Sequence, residues 1–257
     1  GHLRHRGFRV QTLRPADLDQ SLRFNPVDRC HTPQQLRQLA TILGQNGSAA
    51  GGDPFWTTTA VNLLYIGLSA LANVEDPRHR NLANLRWVLN HMGGVDERGV
   101  HWFFSKHLKD DQLFSEYLAF CAQDSRVMAS ILASARACLE LWSDPDVCRL
   151  TATDNMAIED LREVPTVCYL IVPEHRVRYF SIVLNLFYSA CFSQCLEEQP
   201  RGDSLPVFFF LDEFGNLGKI DDFASVVTTL RKRRCSISII LQELSQLAGH
   251  QVDEVKL

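Results

Sequence analysis

The chain has 257 residues, enough for one large domain or two small ones, and its 46% apolar content is ordinary for a globular protein. A formal net charge of −4 excludes a whole-chain electrostatic footprint for nucleic acid, though not a local basic patch. Eight cysteines without a CxxC pair argue against a zinc site and for reduced, mostly buried thiols of a cytosolic protein, and no apolar segment behind the basic N-terminus marks a secretory signal.

In chain order, "GFRVQTLRP" predicts a short strand, Phe8–Leu13, and "FNPVD" (Phe24–Asp28) a proline turn. Thr32-Pro33 supplies an N-cap and an N1 proline for a helix carrying Leu36, Leu39, Ala40 and Leu43, which Gly44 can close. A small-residue link, Gly44–Asp53, precedes a long apolar helix from Phe55 to about Ala72. Helical spacing continues over Leu82–Asn90, His101–Leu108, Leu113–Cys121 and Arg126–Trp142, with no convincing strand. This block reads as all-α.

After Asp144-Pro145 the pattern changes. Thr166–Val172, Val207–Leu211 and Cys235–Leu241 are apolar runs rich in strand formers. Between them lie an uncharged apolar helix, Tyr179–Leu196, and an amphipathic one carrying Phe223, Val226, Val227 and Leu230. The first could span a bilayer by length, but its flanking strands and polar residues favour a buried crossover helix. Strands alternating with helices predict parallel pairing, with helices covering both faces. Ligands of such sheets bind beyond the carboxyl ends of the strands. Asp212 and Glu213 follow one strand and Gln242 the next, so parallel pairing puts all three on one edge.

An apolar strand ending in Asp-Glu is the Walker B pattern. The first acid holds Mg²⁺, usually through water, and the second can orient and deprotonate an attacking water. An amide at the next strand tip can sense the γ-phosphate, and a basic cluster can act as an arginine finger in a neighbouring subunit. Each signal alone has a plainer meaning: a helix start, a surface amide, a solvated helix end at Arg231–Arg234. Their joint arrangement is far more specific. No GxxxxGK[ST] occurs, so this stretch alone is not expected to cradle a nucleotide's phosphates.

The stretch Pro206–Leu247, "PVFFFLDEFGNLGKIDDFASVVTTLRKRRCSISIILQELSQL", resembles the NTPase portion of the type IV secretion coupling proteins, the TraG/TraD family of conjugative DNA-transfer ATPases. "FNPVD", "GGDPFW" (Gly51–Trp56), "SILASARACLELWSDPDVCRLT" and "TVCYLIVP" extend a weaker resemblance along most of the chain. The resemblance implies an α/β fold: a RecA-like P-loop NTPase core with a parallel sheet, interrupted by an all-α insertion domain. Residues 1–30 and 151–257 would belong to the NTPase domain and 31–150 to the insertion. It assigns Asp212 to Mg²⁺, Glu213 to water activation beside the bound ATP and Gln242 to nucleotide sensing. Arg231 would act in trans, with Arg233 and Arg234 as fallbacks, while Lys219 gets no role. It implies a homo-hexamer moving single-stranded DNA or a relaxase–DNA complex into a secretion channel with accessory transfer proteins. The Walker A loop and an inner-membrane anchor would precede this sequence, making it a cytoplasmic fragment. Two alternatives stand beside this reading: another hexameric DNA translocase, and a non-catalytic truncated module that docks substrate.

Overall fold

The structure, a computed structural model, describes residues 2–47, 54–94, 97–212, 215, 220 and 223–241. Expectations resting on Gly51–Asp53, Glu213, Lys219 and Gln242 lie outside the described residues. Two compact units form: one takes the chain up to Leu22 and again from Asn155, the other is Arg23–Asp154.

The first unit begins with a short helix, α1 (His2–His5), and a strand, β1 (Arg9–Leu13). In the second unit every described α or β element is helical: α2 (Pro33–Gly47), α3 (Pro54–Ala72), α4 (Leu82–His91), α5 (Glu97–His107), α6 (Asp111–Cys121), α7 (Ser125–Cys138) and α8 (Pro145–Thr151). Asn81, Asp110, Asp124 and Asp144 cap α4, α6, α7 and α8 by accepting first-turn backbone N–H groups, which satisfies donors that have no intrahelical partner. At the centre is α3, buried continuously from Leu63 to Leu71 and packed on α2 and α7.

Two local expectations change. The helix α2 does not close at Gly44 but runs on to Gly47. A methyl group at Gly44 would collide with the Val61 side chain, so this glycine serves the close approach of α2 and α3. The helix expected over Arg126–Trp142 stops at Cys138, and Glu140–Ser143 turns as a 3-10 segment. Asp144 and Pro145 then start α8, which sequence reading missed. The buried Trp142 indole donates to Thr151 Oγ1 at 2.9 Å, fixing α8 against that turn.

The ends of this unit are stitched together. Arg29 donates Nε and Nη2 to the Asp154 carboxylate at 2.7 and 2.6 Å, with side chains only 13% and 9% exposed. The Asn25 backbone N–H donates to the same carboxylate at 3.3 Å. The fully buried Asn25 side chain accepts from the Val27 N–H and donates to the Arg80 carbonyl, which shapes the "FNPVD" turn.

The first unit resumes with β2 (Thr166–Leu170), α9 (Val177–Glu197), β3 (Val207–Leu211), α10 (Phe223–Lys232) and β4 (Cys235–Ile239). All described pairing is parallel: β1 with β2, from Arg9↔Thr166 to Leu13↔Leu170, and β3 with β4, from Val207↔Cys235 to Leu211↔Ile239. The buried Gln11 amide donates to the Ala157 carbonyl and accepts its N–H, anchoring β1 to the segment before β2.

Coverage of β3 differs from expectation. Phe209 and Leu211 are buried on the side of α9, with the Phe192 ring 4.9 Å from Phe209. Phe208 and Phe210 point the other way and are 61% and 72% exposed. Among the described residues, helices therefore cover one face of this pair rather than two. Both α3 and Glu174–Glu197 are long and apolar enough to cross a membrane, yet over half of each apolar stretch is buried.

Candidate active site

Parallel pairing decides where the acidic tip of β3 lies. The last paired residues are Leu211 and Ile239, and the Ile240 N–H donates to the Leu211 carbonyl at 3.0 Å. The ladder thus ends directly before Asp212, and both strands finish at this edge. Asp212 is exposed there. Its charge reaches Tyr188 on α9, whose phenol is pushed up to about 12, mainly by burial, then by Cys191 and Asp212. Glu213 and Gln242 lie outside the described residues.

Among the described residues no three His, Cys, Asp or Glu side chains cluster to hold a metal. The exposed Asp212 carboxylate is an oxygen donor of the kind a hard cation such as Mg²⁺ accepts.

Arg231 stands elsewhere. It lies in the last turn of α10, which carries the chain back from the Asp212 edge to the start of β4. The strand between rises ~3.3 Å per residue, so the two edges are about 16 Å apart. Within one chain Arg231 and Asp212 are not brought together.

The four basic residues also separate by role. Arg231 and Lys232 are exposed, and no hydrogen bond or ion pair among the described residues holds their side chains. Arg233 is half-buried and uses its carbonyl to accept from Arg162 at 2.7 Å. Arg234 turns the chain with a positive φ of 57° and donates to the Arg201 and Gly202 carbonyls at 3.1 and 3.3 Å. The Arg234 side chain is thus committed to the loop before β3. Sequence reading missed Arg162, a fully buried arginine beneath this corner. Nothing in its spacing marks it.

A profile of the family described as "Type IV secretory system Conjugative DNA transfer" matches residues 1–255. The chain belongs to that family. Relatives include the protein VirD4 of Rhizobium radiobacter, 30% identical over 119 residues, or 46% of this chain and 17% of that protein. VirD4 of Agrobacterium fabrum is 31% identical over 112 residues, 43% of this chain and 17% of its own. Among solved structures, the bacterial conjugative coupling protein TrwBdeltaN70 in complex with sulphate superposes with a TM-score of 0.69 at 16% identity, covering 95% of this chain and 58% of that one. The plasmid coupling protein TrwB in complex with ADP and Mg²⁺ gives 0.67 at 16% identity, covering 95% and 59%. That likeness shows the fold, an α/β RecA-like core interrupted by a helical insertion. The chain spans under a fifth of the length of these VirD4 relatives and under three fifths of these TrwB chains. In a family member of this fold, the Asp212 edge is the edge where an open parallel sheet takes its ligands.

Proposed function

We propose that this chain is the motor-core portion of a coupling ATPase that drives single-stranded DNA, or DNA bound to a relaxase, into a type IV secretion channel. One observation carries the reading. In a member of the conjugative DNA-transfer family, β3 and β4 run parallel and end together directly before Asp212. Asp212 holds Mg²⁺ on the phosphates of bound ATP. Bound there, the cation supplies charge neutralisation and alignment of the phosphate chain. Glu213, the next residue, orients and deprotonates the attacking water. Gln242, two residues past Ile240, reports the γ-phosphate to the rest of the sheet. Residues outside this stretch supply the phosphate-cradling loop.

Subunits share the site. Arg231, exposed and remote from its own chain's Asp212, serves the neighbouring subunit in a homo-hexamer. The assembly is tethered to the inner membrane by a segment outside this stretch and receives substrate on the cytoplasmic side with accessory transfer proteins. The TrwB complex with ADP and Mg²⁺ supports the nucleotide assignment.

The test uses the protein expressed from its complete gene. Glu213→Gln is expected to keep ATP binding and to lower turnover by about 10²–10⁴. Wild-type turnover in this variant would remove Glu213 as the base. Loss of nucleotide binding would show instead that Glu213 acts in holding the ligand.

A further inference from the structure

Arg162 lies beneath the basic corner, in the turn at 159–163 ahead of β2, and is 1% exposed. Its Nη2 donates to the Arg233 carbonyl at 2.7 Å, to the Cys235 sulfur at 3.2 Å and to the Cys195 carbonyl at 3.3 Å. Its own carbonyl accepts the Leu205 N–H at 2.8 Å. One residue thus joins the turn before β2, the last turn of α9, the loop into β3 and the turn from α10 to β4. A guanidinium is costly to bury, and an apolar side chain of similar volume would fill such a space at less cost. Its Nε and Nη1 have no hydrogen-bond partner among the described residues, and the partly exposed Glu198 carboxylate stands 3.8 Å from Nε. Stability alone therefore does not call for arginine here. What the charge supplies is a short bond to Arg233, since an ionised donor makes a shorter and stronger hydrogen bond than a neutral one.

That bond falls where it bears on Arg231. The Arg233 N–H donates to the Leu230 carbonyl at 2.9 Å and the Arg234 N–H to the Arg231 carbonyl at 3.3 Å, so α10 ends in a tight turn. Arg234 follows with its positive φ, and its carbonyl accepts the Val207 N–H at 3.2 Å. The Cys235 thiol also donates to the Arg233 carbonyl, but at 3.6 Å. Arg231 is exposed and no described group of its own chain holds its side chain. The backbone of this turn therefore sets where that side chain starts and which way it leaves the helix.

We propose, building on the reading that Arg231 serves a neighbouring subunit's site, that Arg162 is a positioning residue for it. Arg162 fixes the Arg233 carbonyl, and through it the end of α10 from which Arg231 reaches across. It touches neither nucleotide nor DNA. A misplacement of about 1 Å at a catalytic group can cost about 10² in rate.

The test is made in the protein from the complete gene. Arg162→Met removes the donors and keeps much of the volume, and it leaves Glu198 where water can reach it. Turnover should fall by about 10² with the KM for ATP unchanged. Two arms separate positioning from general support of the fold. Adding Arg162→Met to Arg231→Ala should cost nothing beyond Arg231→Ala alone, because the two act as one. Mixing Arg162→Met subunits with Glu213→Gln subunits should recover about a quarter of the wild-type rate, since each intact site needs Glu213 from one subunit and a well-placed Arg231 from its neighbour. Arg162→Gln, whose amide nitrogen ends near the present Nε and short of the Arg233 carbonyl, should behave alike and carries the test if the methionine variant does not assemble. Wild-type turnover in either variant, a further loss on top of Arg231→Ala, or no recovery on mixing overturns the proposal. Wild-type turnover by Arg231→Ala itself would instead overturn the shared-site reading, and this proposal with it.

Discussion

Arg231→Ala, made in the protein from the complete gene, tests whether subunits share the nucleotide site. Arg231 lies in the last turn of α10 and Asp212 just past β3, at opposite edges of one parallel strand pair. Those edges are about 16 Å apart, farther than an arginine side chain reaches. An arginine supplied from a neighbour contributes ~10³–10⁵ in turnover, so the variant alone should lose at least about 10³ with ATP binding retained. The decisive arm mixes it with Glu213→Gln subunits before assembly. An intact site forms only where a subunit with Glu213 meets a neighbour with Arg231. Random mixing at equal amounts makes about one site in four complete, so phosphate release should recover to about a quarter of the wild-type rate. Turnover that stays at the level of the single variants across all mixing ratios would refute a shared site. Wild-type turnover by Arg231→Ala alone would refute its participation.

Three further outcomes can be checked on the chain itself. Asp154→Ala leaves Arg29 charged and mostly buried, so denaturant melts should show a loss of about 3–5 kcal/mol; a change below about 1 kcal/mol would reduce the pair to a surface contact. Gly44→Ala should lose about 1–3 kcal/mol by overpacking against Val61, and adding Val61→Ala should recover most of it. The Tyr188 phenol, raised from 10.0 to about 12, keeps its proton longer when folded. Its contribution to stability is therefore intact below about pH 10 and is lost as pH rises to about 12. Tyr188→Phe should flatten that part of the curve, and Asp212→Asn should lower the phenol's midpoint in a tyrosinate absorbance titration. An unchanged midpoint would mean that the Asp212 charge does not act on Tyr188.

Local signals in the sequence transferred well where one periodicity ruled a segment. Val207–Leu211 sits between Pro206 and Asp212 and forms a strand with those bounds. The spacing of Phe223, Val226, Val227 and Leu230 gave α10, with Phe223 and Leu230 buried as expected of an apolar stripe. The short helix α8 escaped because seven residues hold too few turns to show a period, although Asp144-Pro145 is a helix start. Gly44 misled because a glycine that ends a helix and one that admits a neighbouring helix look alike in sequence. "VFFFL" hid its own asymmetry: an unbroken apolar run does not say that Phe209 and Leu211 face helices while Phe208 and Phe210 do not. Arg162, the Cys195 carbonyl and the Cys235 sulfur meet only through folding, because α9 and β4 are distant in sequence. Of the candidate site, Asp212 and its strand edge were legible, and so was the basic cluster. That Arg231 lies at the opposite edge follows from tracing α10 back to β4.

The stitching of Asn25 and Arg29 to Asp154 bears on how the polypeptide is made. On the ribosome, β1 emerges long before β2, the only partner it has among the described residues. Bringing them together across a flexible loop of ~150 residues would cost on the order of 4 kcal/mol in chain entropy. The intervening helices fold from neighbours close in sequence, which is fast. Once they do, the clasp at Asp154 replaces that long loop with a compact body whose two ends are already side by side. Weakening it should therefore slow the late closure of the β1–β2 pair during refolding, even in variants whose helical unit still forms.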